Sequence, residues 1–326
     1  MDRISQLDRR IGRRIRLREL HILLGVVQSG SMAKAAQLLA MSQPAVSKAI
    51  ADLEQALGVR LLDRGPKGVE PTSYGRALAR RGAVVFDELR HGVGEIEFLA
   101  DPSVGEVRLA CGEPVGATLV APVIERLSLT RPGLVFHVTT ANTITLEFQE
   151  LRERKLDLMI GRIVTPFAED DLCAEPLFGQ SIVVVAGAQS RWARRRSVEL
   201  AELVEEKWIL LPPDTPHSTY VVSAFRARGL EPPRATVTSN LIRLREALVA
   251  TGHFLSAFPA ELLHPYKGRH PAIKVLPVNL GAPQPIAIVT MKNRTLSPAV
   301  ELFIDCARTV AKSMALHDLR LRRDSR

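Results

Sequence analysis

The chain has 326 residues, a formal net charge of +9 and 46% hydrophobic residues. This composition is typical of a globular protein of two or three domains and excludes a chain that is disordered throughout. No apolar run approaches the length of a membrane span, and the charged N-terminal stretch lacks the apolar core of a signal peptide, so we expect a cytoplasmic protein without a membrane partner. The three cysteines are too widely spaced for a disulfide framework or a metal cluster: Cys111, Cys173 and Cys306.

The positive charge is concentrated in the N-terminal part of the chain. Residues 1–82 contain fifteen Lys and Arg against seven Asp and Glu, whereas residues 83–316 contain 25 against 26. An excess of cations confined to one domain is the electrostatic footprint of a protein that binds duplex DNA. Residues 1–16 form a basic leader, either a partly helical extension that contacts phosphates weakly or a frayed segment, and residues 313–326 form a basic tail.

The stretch that begins at Ser42 predicts a helix suited to the DNA major groove. Ser42 is a good N-cap, Pro44 is tolerated in a first helical turn, and Gly58 ends the helix. One face is an apolar stripe of Val46, Ile50, Leu53 and Leu57. The opposite face carries short hydrogen-bonding groups and one cation: Gln43, Ser47, Lys48, Ala51 and Gln55. Such groups can bind base edges and phosphates in the groove.

The flanking segments complete a winged helix-turn-helix over residues 17–75, a mainly helical head. Ser31 can cap a short helix, and an upstream stripe predicts a further helix whose inner face is Leu17, Leu20, Leu24 and Val27. Two short strands flank a Gly/Pro turn that carries Lys67 at its tip, as in a wing that reaches phosphates. The predicted DNA contacts are Ser31, Lys34, Ser42, Gln43, Pro44, Ser47, Lys48, Arg64 and Lys67.

Residues 76–102 predict a long linker helix that pairs with another helix. No proline interrupts residues 73–100, and a helix of about 27 residues would span ~40 Å, longer than one small domain needs. An apolar stripe outside a compact core usually packs against a partner helix. The predicted dimerisation residues on this stripe are Leu78, Val85, Leu89, Val93 and Ile96.

After residue 103, predicted strands alternate with predicted helices. The strand–helix–strand–helix–strand order through residue 161 predicts a parallel sheet with right-handed crossovers, and a second such unit begins near residue 181. We predict one α/β domain over residues 103–312 that has two lobes. Lobe 1 comprises about 103–162 and 275–312, and lobe 2 about 163–274.

The sequence contains none of the common enzyme motifs. A Walker A loop, a complete G-x-G-x-x-G, a His-Glu-x-x-His and a nucleophile elbow are all missing, and the histidines are dispersed. We therefore predict that the protein is not an enzyme, with no catalytic residues, no cofactor and no metal.

Polar loops at the carboxyl ends of the predicted strands suggest a ligand cleft between the lobes, because open α/β sheets bind ligands there. The same residues would also serve as ordinary helix caps in a protein without a ligand. The predicted ligand contacts are Gly112, Glu113, Pro114, Val115, Asn142, Thr143, Arg162, His217, Ser218, Ser239 and Asn240. Glu113 with amide and hydroxyl groups favours a neutral sugar, whereas Arg162 could neutralise Glu113 or hold an acid.

Four segments resemble the LysR-type transcriptional regulators: GSMAKAA at 30–36, SQPAVSK at 42–48, LEQALGVRLLDR at 53–64 and PTSYG at 71–75. Leu62, Ala33 and Tyr74 depart from the residues usual at those positions in the family. The resemblance implies a sequence-specific DNA-binding regulator that dimerises through its linker helix. It also implies a periplasmic-binding-protein-like effector domain whose inducer binds between two lobes.

The partners implied by the resemblance are promoter or operator DNA, a small-molecule effector, RNA polymerase and further copies of the chain in a dimer or tetramer. Later segments resemble a subgroup that includes regulators of sugar uptake and of aromatic-acid catabolism. Two alternatives stay open at this point. One is a DNA-binding protein of the same design that acts by oligomerisation without a ligand. The other, of a different class, is a solute-binding receptor or an enzyme.

Overall fold

The computed structural model describes residues 15–65, 68–141, 148–163, 166–213, 219–266 and 271–324, with the backbone alone for 264–266 and 315–324. Most of the basic leader and the last two residues of the tail lie outside these ranges. The chain forms two compact units, residues 1–93 and 94–326. Among the described residues, no helix is both long enough and apolar enough to cross a membrane.

The first unit is a winged helix-turn-helix, which confirms the predicted head. Its elements are α1 Leu17–Ser29, α2 Met32–Leu38, α3 Gln43–Leu57, β1 Leu62–Gly65, β2 Gly68–Pro71 and the start of α4 Ser73–Ala100. The hydroxyl of Ser42 accepts a hydrogen bond from the backbone N–H of Ala45 at 3.4 Å and caps α3. Gly58, at φ 72°, ends α3 in the left-handed conformation that glycine adopts without strain.

The core of the head lies between α1, α2 and α3. Of the four residues predicted for the stripe on α3, Val46, Ile50 and Leu53 are fully buried, whereas Leu57 in the last turn is exposed. The inner face predicted for α1 is partly wrong, because Leu17 is 51% exposed. Leu20 is buried as predicted and Leu24 and Val27 are half-buried, and the helix also buries Ile22, Leu23 and Val26. Leu17 is the first residue of α1, and its side chain lies outside the core cluster that the later turns form.

The second unit has two α/β lobes. Its helices and strands in chain order are β3 Val104–Cys111, α5 Glu113–Val115, a π-helical turn Gly116–Val120, α6 Ala121–Thr130, β4 Gly133–Thr140, α7 Gln149–Arg152, β5 Leu158–Arg162, β6 Leu172–Gln180, β7 Ile182–Gly187, β8 Trp208–Leu210, α8 Thr219–Arg226, β9 Ala235–Thr238, α9 Ile242–Ala250, β10 Leu255–Pro259, β11 Ile273–Val275, β12 Gln284–Met291 and α10 Pro298–Asp324. Short 3₁₀ turns occupy Arg191–Arg194, Leu200–Leu203 and Ala260–Tyr266.

The sheet of lobe 1 has the order β4-β3-β5-β12-β6. β3 is parallel to β4 and to β5, as predicted, whereas β12 is antiparallel to β5 and to β6. β6 was not predicted, since Pro176 and Gly179 interrupt its pattern. Because β6 pairs with β12 over residues 172–180, the chain enters lobe 2 only at about residue 181, and the predicted lobe boundary at 163 is wrong.

The sheet of lobe 2 has the order β11-β7-β10-β8-β9. β8 is parallel to β9 and β10, and β7 is antiparallel to β10 and β11. Leu276 and Leu280 are buried in the lobe 2 core together with Trp208 and Phe225. The chain therefore returns to lobe 1 after Leu280, not at residue 275 as predicted.

A buried ion network joins three segments of lobe 1. Asp157 lies just before β5, and its carboxylate accepts hydrogen bonds from the backbone N–H of Arg108 at 2.8 Å and from its Nη2 at 2.7 Å. The same carboxylate accepts a bond from Nη2 of Arg294 at 2.8 Å, and Nη1 of Arg294 donates to the carbonyl of Leu156. One acidic side chain thus links β3, β5 and the segment that follows β12.

Candidate DNA-binding face and effector cleft

The predicted groove face of α3 is accessible. Gln43, Pro44 and Lys48 are exposed, and Ser47 is half-buried on the same helix. Nη2 of Arg64, on β1, donates a hydrogen bond to the hydroxyl of Ser47 at 3.3 Å. The structure therefore places a cation of the hairpin beside a polar group of α3, while Lys67 lies outside the described residues.

Two predicted contact residues also have structural roles. The hydroxyl of Ser31 accepts from the backbone N–H of Lys34 at 3.5 Å, and Ser42 caps α3 in the same manner. Each hydroxyl keeps its own proton, which can be donated to a phosphate oxygen. Lys34 is exposed on α2. The structure therefore leaves the Lys34 ammonium accessible close to the N-cap of α2.

The carboxylate of Glu54, on α3, is hydrogen-bonded to the backbone of the head. Its Oε1 accepts hydrogen bonds from the backbone N–H of Leu61 at 2.6 Å and of Leu62 at 3.2 Å. These bonds fix the start of β1 against the C-terminal half of α3. The negative charge of Glu54 is therefore bound by backbone N–H groups at the start of the hairpin.

The apolar stripe on α4 is largely uncovered. Val85, Leu89, Val93 and Ile96 are all more than a third exposed. Leu78 differs, because it is partly buried and packs against the core of the head. The structure therefore assigns Leu78 to that core and not to the accessible stripe on which it was predicted, whereas the later residues keep a continuous accessible apolar edge.

A cavity of about 510 Å³ lies between the two lobes, a size typical of small-molecule sites. Lobe 1 contributes the turn after β3 and the ends of β4, β5 and β6. Lobe 2 contributes residues of β7, β8, α8, α9 and β10. The described lining residues are mainly aliphatic, and the charged ones among them are Glu113, Arg162, Arg243 and Arg245.

Six of the eleven predicted effector contacts line this cavity: Gly112, Glu113, Pro114, Val115, Arg162 and Asn240. Ser239 is not among the described lining residues. Its hydroxyl accepts a hydrogen bond from the N–H of Leu241 at 3.1 Å in the turn before α9. Four others lie outside the described residues: Asn142, Thr143, His217 and Ser218.

The turn that carries Glu113 differs from the prediction. The helix begins at Glu113 and not near Ala117, and it passes through a π-helical turn at Gly116–Val120 before α6. Such turns are uncommon and occur often at functional sites. Glu113 is exposed at the first turn of this helix, where the helix dipole favours a carboxylate.

Arg162 and Gln180 meet at the wall that lobe 1 contributes. Nη2 of Arg162 donates to Oε1 of Gln180 at 2.8 Å. Burial lowers the pKa of the Arg162 guanidinium to about 10, against the opposing influence of Glu261 and Tyr220, so this group is charged at neutral pH. Within the described part of the chain, Nε of Arg162 and Nε2 of Gln180 are buried and have no hydrogen-bond partner.

Arg245 is a cavity residue that the sequence did not reveal. It lies on α9, is only 4% exposed, and donates to the hydroxyl of Ser256 at 2.9 Å and to the carbonyl of Ala257. Its guanidinium carbon lies 4.5 Å from the centroid of the Phe258 ring. Burial lowers the pKa of Arg245 to about 10. An arginine within an otherwise amphipathic helix is normally expected on the solvent face, so sequence pattern alone could not find it.

Both units of the chain match known protein families. Residues 17–76 match the bacterial regulatory helix-turn-helix protein of the lysR family, and residues 100–312 match the LysR substrate binding domain. The chain belongs to the LysR family of transcriptional regulators. LysR regulators are DNA-binding transcription factors that respond to small-molecule effectors and form oligomers; they are not enzymes. These properties confirm the regulator and non-enzyme predictions.

Known relatives match this LysR regulator over nearly its whole length. The HTH-type transcriptional regulator GbpR of Azospirillum brasilense is 28% identical over 316 residues, which cover 95% of this chain and 89% of GbpR. A full-length OxyR variant from Pseudomonas aeruginosa has a TM-score of 0.68 at 23% identity, and the match covers 91% of this chain and 97% of the OxyR chain. Full-length CbnR in complex with its target DNA has a TM-score of 0.52 at 21% identity, and the match covers 91% of this chain and 100% of the CbnR chain.

Proposed function

We propose that this LysR regulator binds a promoter operator through α3 and the hairpin, and that a small molecule in the cleft between the lobes controls that binding. The observation that carries the proposal is the cavity of about 510 Å³, which lies at the carboxyl ends of parallel strands. The ligand-independent alternative gives no reason for a cavity with buried polar donors at this position. The target operon would serve uptake or catabolism of a sugar or an aromatic acid.

Base reading is assigned to Gln43. An exposed glutamine in the first turn of a groove helix can donate to and accept from an adenine edge at once. Ser47, Lys48 and Arg64 supply the contacts that position the head on the phosphates. The likeness of the fold to CbnR bound to its target DNA supports this docking mode.

Assembly is assigned to the exposed stripe of α4. Val85, Leu89, Val93 and Ile96 would be buried against the same helix of a second copy, in a dimer or in a tetramer built from dimers. Two heads in one dimer would bind two half-sites on one face of the DNA. From there, a regulator that activates would contact RNA polymerase in the cytoplasm.

The DNA-reading part of the proposal is tested by selecting an operator from genomic fragments and measuring affinity by fluorescence anisotropy. Gln43→Ala should weaken binding to the selected operator by about 1–3 kcal/mol and leave binding to random DNA almost unchanged. Gln28→Ala, the same change at an exposed position of α1, is the matched control and should have no effect. Equal operator affinity for wild type and Gln43→Ala would contradict the assignment of Gln43.

A further inference from the structure

The described wall of the cleft carries more positive than negative charge. Arg162, Arg243 and Arg245 line the cavity, and Glu113 is the one carboxylate among the described lining residues. Arg243 is paired with Glu246 at 2.9 Å. No carboxylate of the described residues lies within ion-pair distance of Arg162 or Arg245, although the charge of Glu261 acts on Arg162 and raises its pKa. Arg245 is buried and Arg162 is half-buried, and both guanidinium groups contribute a positive potential at the cavity.

Arg162 and Gln180 present hydrogen-bond donors without acceptors. Gln180 is only 3% exposed, and its amide oxygen is already used by Arg162. Its amide nitrogen and Nε of Arg162 have no acceptor among the described residues. Buried donors nearly always have partners, so this pair lacks an acceptor that a ligand could provide. An arginine fork and a neighbouring amide suit the two oxygens of a carboxylate.

Much of the remaining described lining is aliphatic, although Asn240, Arg243 and Arg245 of lobe 2 also line the cavity. On the lobe 2 side, Ile182, Ile209, Leu210, Val221, Leu241 and Leu244 line the cavity. Tyr220 adds its ring, and its hydroxyl donates to the carbonyl of Ala282 at 2.7 Å. A polyhydroxylated ligand against this surface would bury hydroxyl groups beside side chains that cannot bond them. An aliphatic or aromatic body fits the same surface without that penalty.

We infer that the effector is a small carboxylic acid with an apolar body, whose carboxylate binds Arg162 and Gln180 while its body lies against the aliphatic wall of lobe 2. The inference rests on the proposed function and identifies the class of ligand for that cleft. It reverses the sugar preference drawn from Glu113 in the sequence. All three residues line the cavity, but Glu113 is exposed, whereas Arg162 is half-buried and Arg245 is buried.

The test uses probes that differ only in charge. Benzoate is compared with benzamide, and hexanoate with hexanamide, while glucose and galactose represent neutral sugars. Binding to the full-length protein is measured by thermal shift and by isothermal titration calorimetry. The carboxylates are expected to bind and raise the melting temperature; the amides and the sugars are not.

Two variants test whether Arg162 and Gln180 bind the carboxylate of the ligand. Arg162→Gln should weaken carboxylate binding by at least tenfold, since it removes a charge-assisted pair. Arg234→Gln, the same change at an exposed arginine of lobe 2 outside the cavity lining, should leave binding unchanged. Gln180→Glu places a carboxylate on Arg162 within the protein itself. That variant should lose carboxylate binding without a lower melting temperature, so it serves even where Arg162→Gln folds poorly.

Distinct results overturn the inference and the proposed function. Binding of sugars or amides as tight as that of carboxylates, no carboxylate binding by wild type, or full binding by both Arg162→Gln and Gln180→Glu would overturn the inference. Sugars that bind and change operator affinity would refute the acid while they support effector control. Carboxylates that bind through Arg162 but leave operator affinity unchanged would refute effector control and leave the acid site standing.

Discussion

Replacing Asp157 with Asn should destabilise lobe 1 far more than the size of the change suggests. Asp157 is 3% exposed and accepts bonds from the backbone and side chain of Arg108 and from Arg294, whose side chain is fully buried. Removing one partner of a buried ion pair costs about 3–5 kcal/mol, because the remaining charge loses its compensation. The asparagine keeps an amide oxygen that can still accept one bond, so we expect ~3 kcal/mol, a large share of the ~5–15 kcal/mol that stabilises a typical domain.

The matched control is Asp171→Asn, also in lobe 1. Asp171 is exposed and pairs with Arg152 at 2.7 Å, and exposed ion pairs contribute only about 0–1 kcal/mol. Urea unfolding followed by circular dichroism gives both values. Tryptophan fluorescence offers a second signal, because Trp192 and Trp208 both lie in lobe 2 and report that lobe. A midpoint shift for Asp157→Asn no larger than that for Asp171→Asn would refute the claim that the buried network stabilises lobe 1.

Three further predictions address the packing of the head, the assembly and the thiols. A Cβ on Gly75 would lie 2.0 Å from a backbone oxygen, so Gly75→Ala should lower stability by about 1–3 kcal/mol in thermal melting. Gly92 has open space around it, so Gly92→Ala should instead stabilise α4 by roughly 0.5–1 kcal/mol. Equal effects of the two substitutions would contradict the close approach at Gly75. Leu89→Asp should leave the folded monomer intact but abolish the dimer in light scattering, and a variant that stays dimeric would show that the stripe is not the interface. Burial raises the pKa of the Cys111 thiol to about 11, so iodoacetamide at neutral pH should alkylate exposed Cys173 first; faster labelling of Cys111 in mass spectrometry would refute that environment.

The head could be predicted from sequence because its signals are local. Ser42, Pro44 and Gly58 mark the ends of α3 through capping rules that act within one helical turn. The buried set Val46, Ile50 and Leu53 follows from the helical period alone. The first turn of α1 was misassigned, since a stripe does not show where a core ends.

The lobe boundaries could not be predicted because they depend on pairing between distant segments. β6 carries Pro176 and Gly179 and lacks regular alternation, and it is a strand only because β12 lies beside it. The return to lobe 1 depends on Leu276 and Leu280, whose burial in lobe 2 is a tertiary contact. Neither lobe boundary can therefore be recognised from a local sequence pattern.

The place of the cleft was predicted from sequence, whereas two of the polar residues that line it were not. The rule that ligands bind at the carboxyl ends of strands led to Glu113 and Arg162, both of which line the cavity. It did not reveal Gln180, which ends the strand that was missed, or Arg245, which helical periodicity assigns to solvent. The charge balance of the site depends on those buried residues, so the class of ligand could not be deduced from the loops.

If a ligand of the cleft controls DNA binding by the head, the affinities for the ligand and for the operator must be reciprocally coupled. Titration calorimetry would measure the affinity of a cleft-binding carboxylate with and without operator DNA, and anisotropy would measure operator affinity with and without that carboxylate. Linkage requires the two ratios to be equal, and regulation of this kind typically gives about 5- to 150-fold, or 1–3 kcal/mol. We expect equal ratios that differ clearly from one and that return to one in Arg162→Gln. Ratios of one for the wild type, with both ligands bound, would show that the cleft does not control DNA binding.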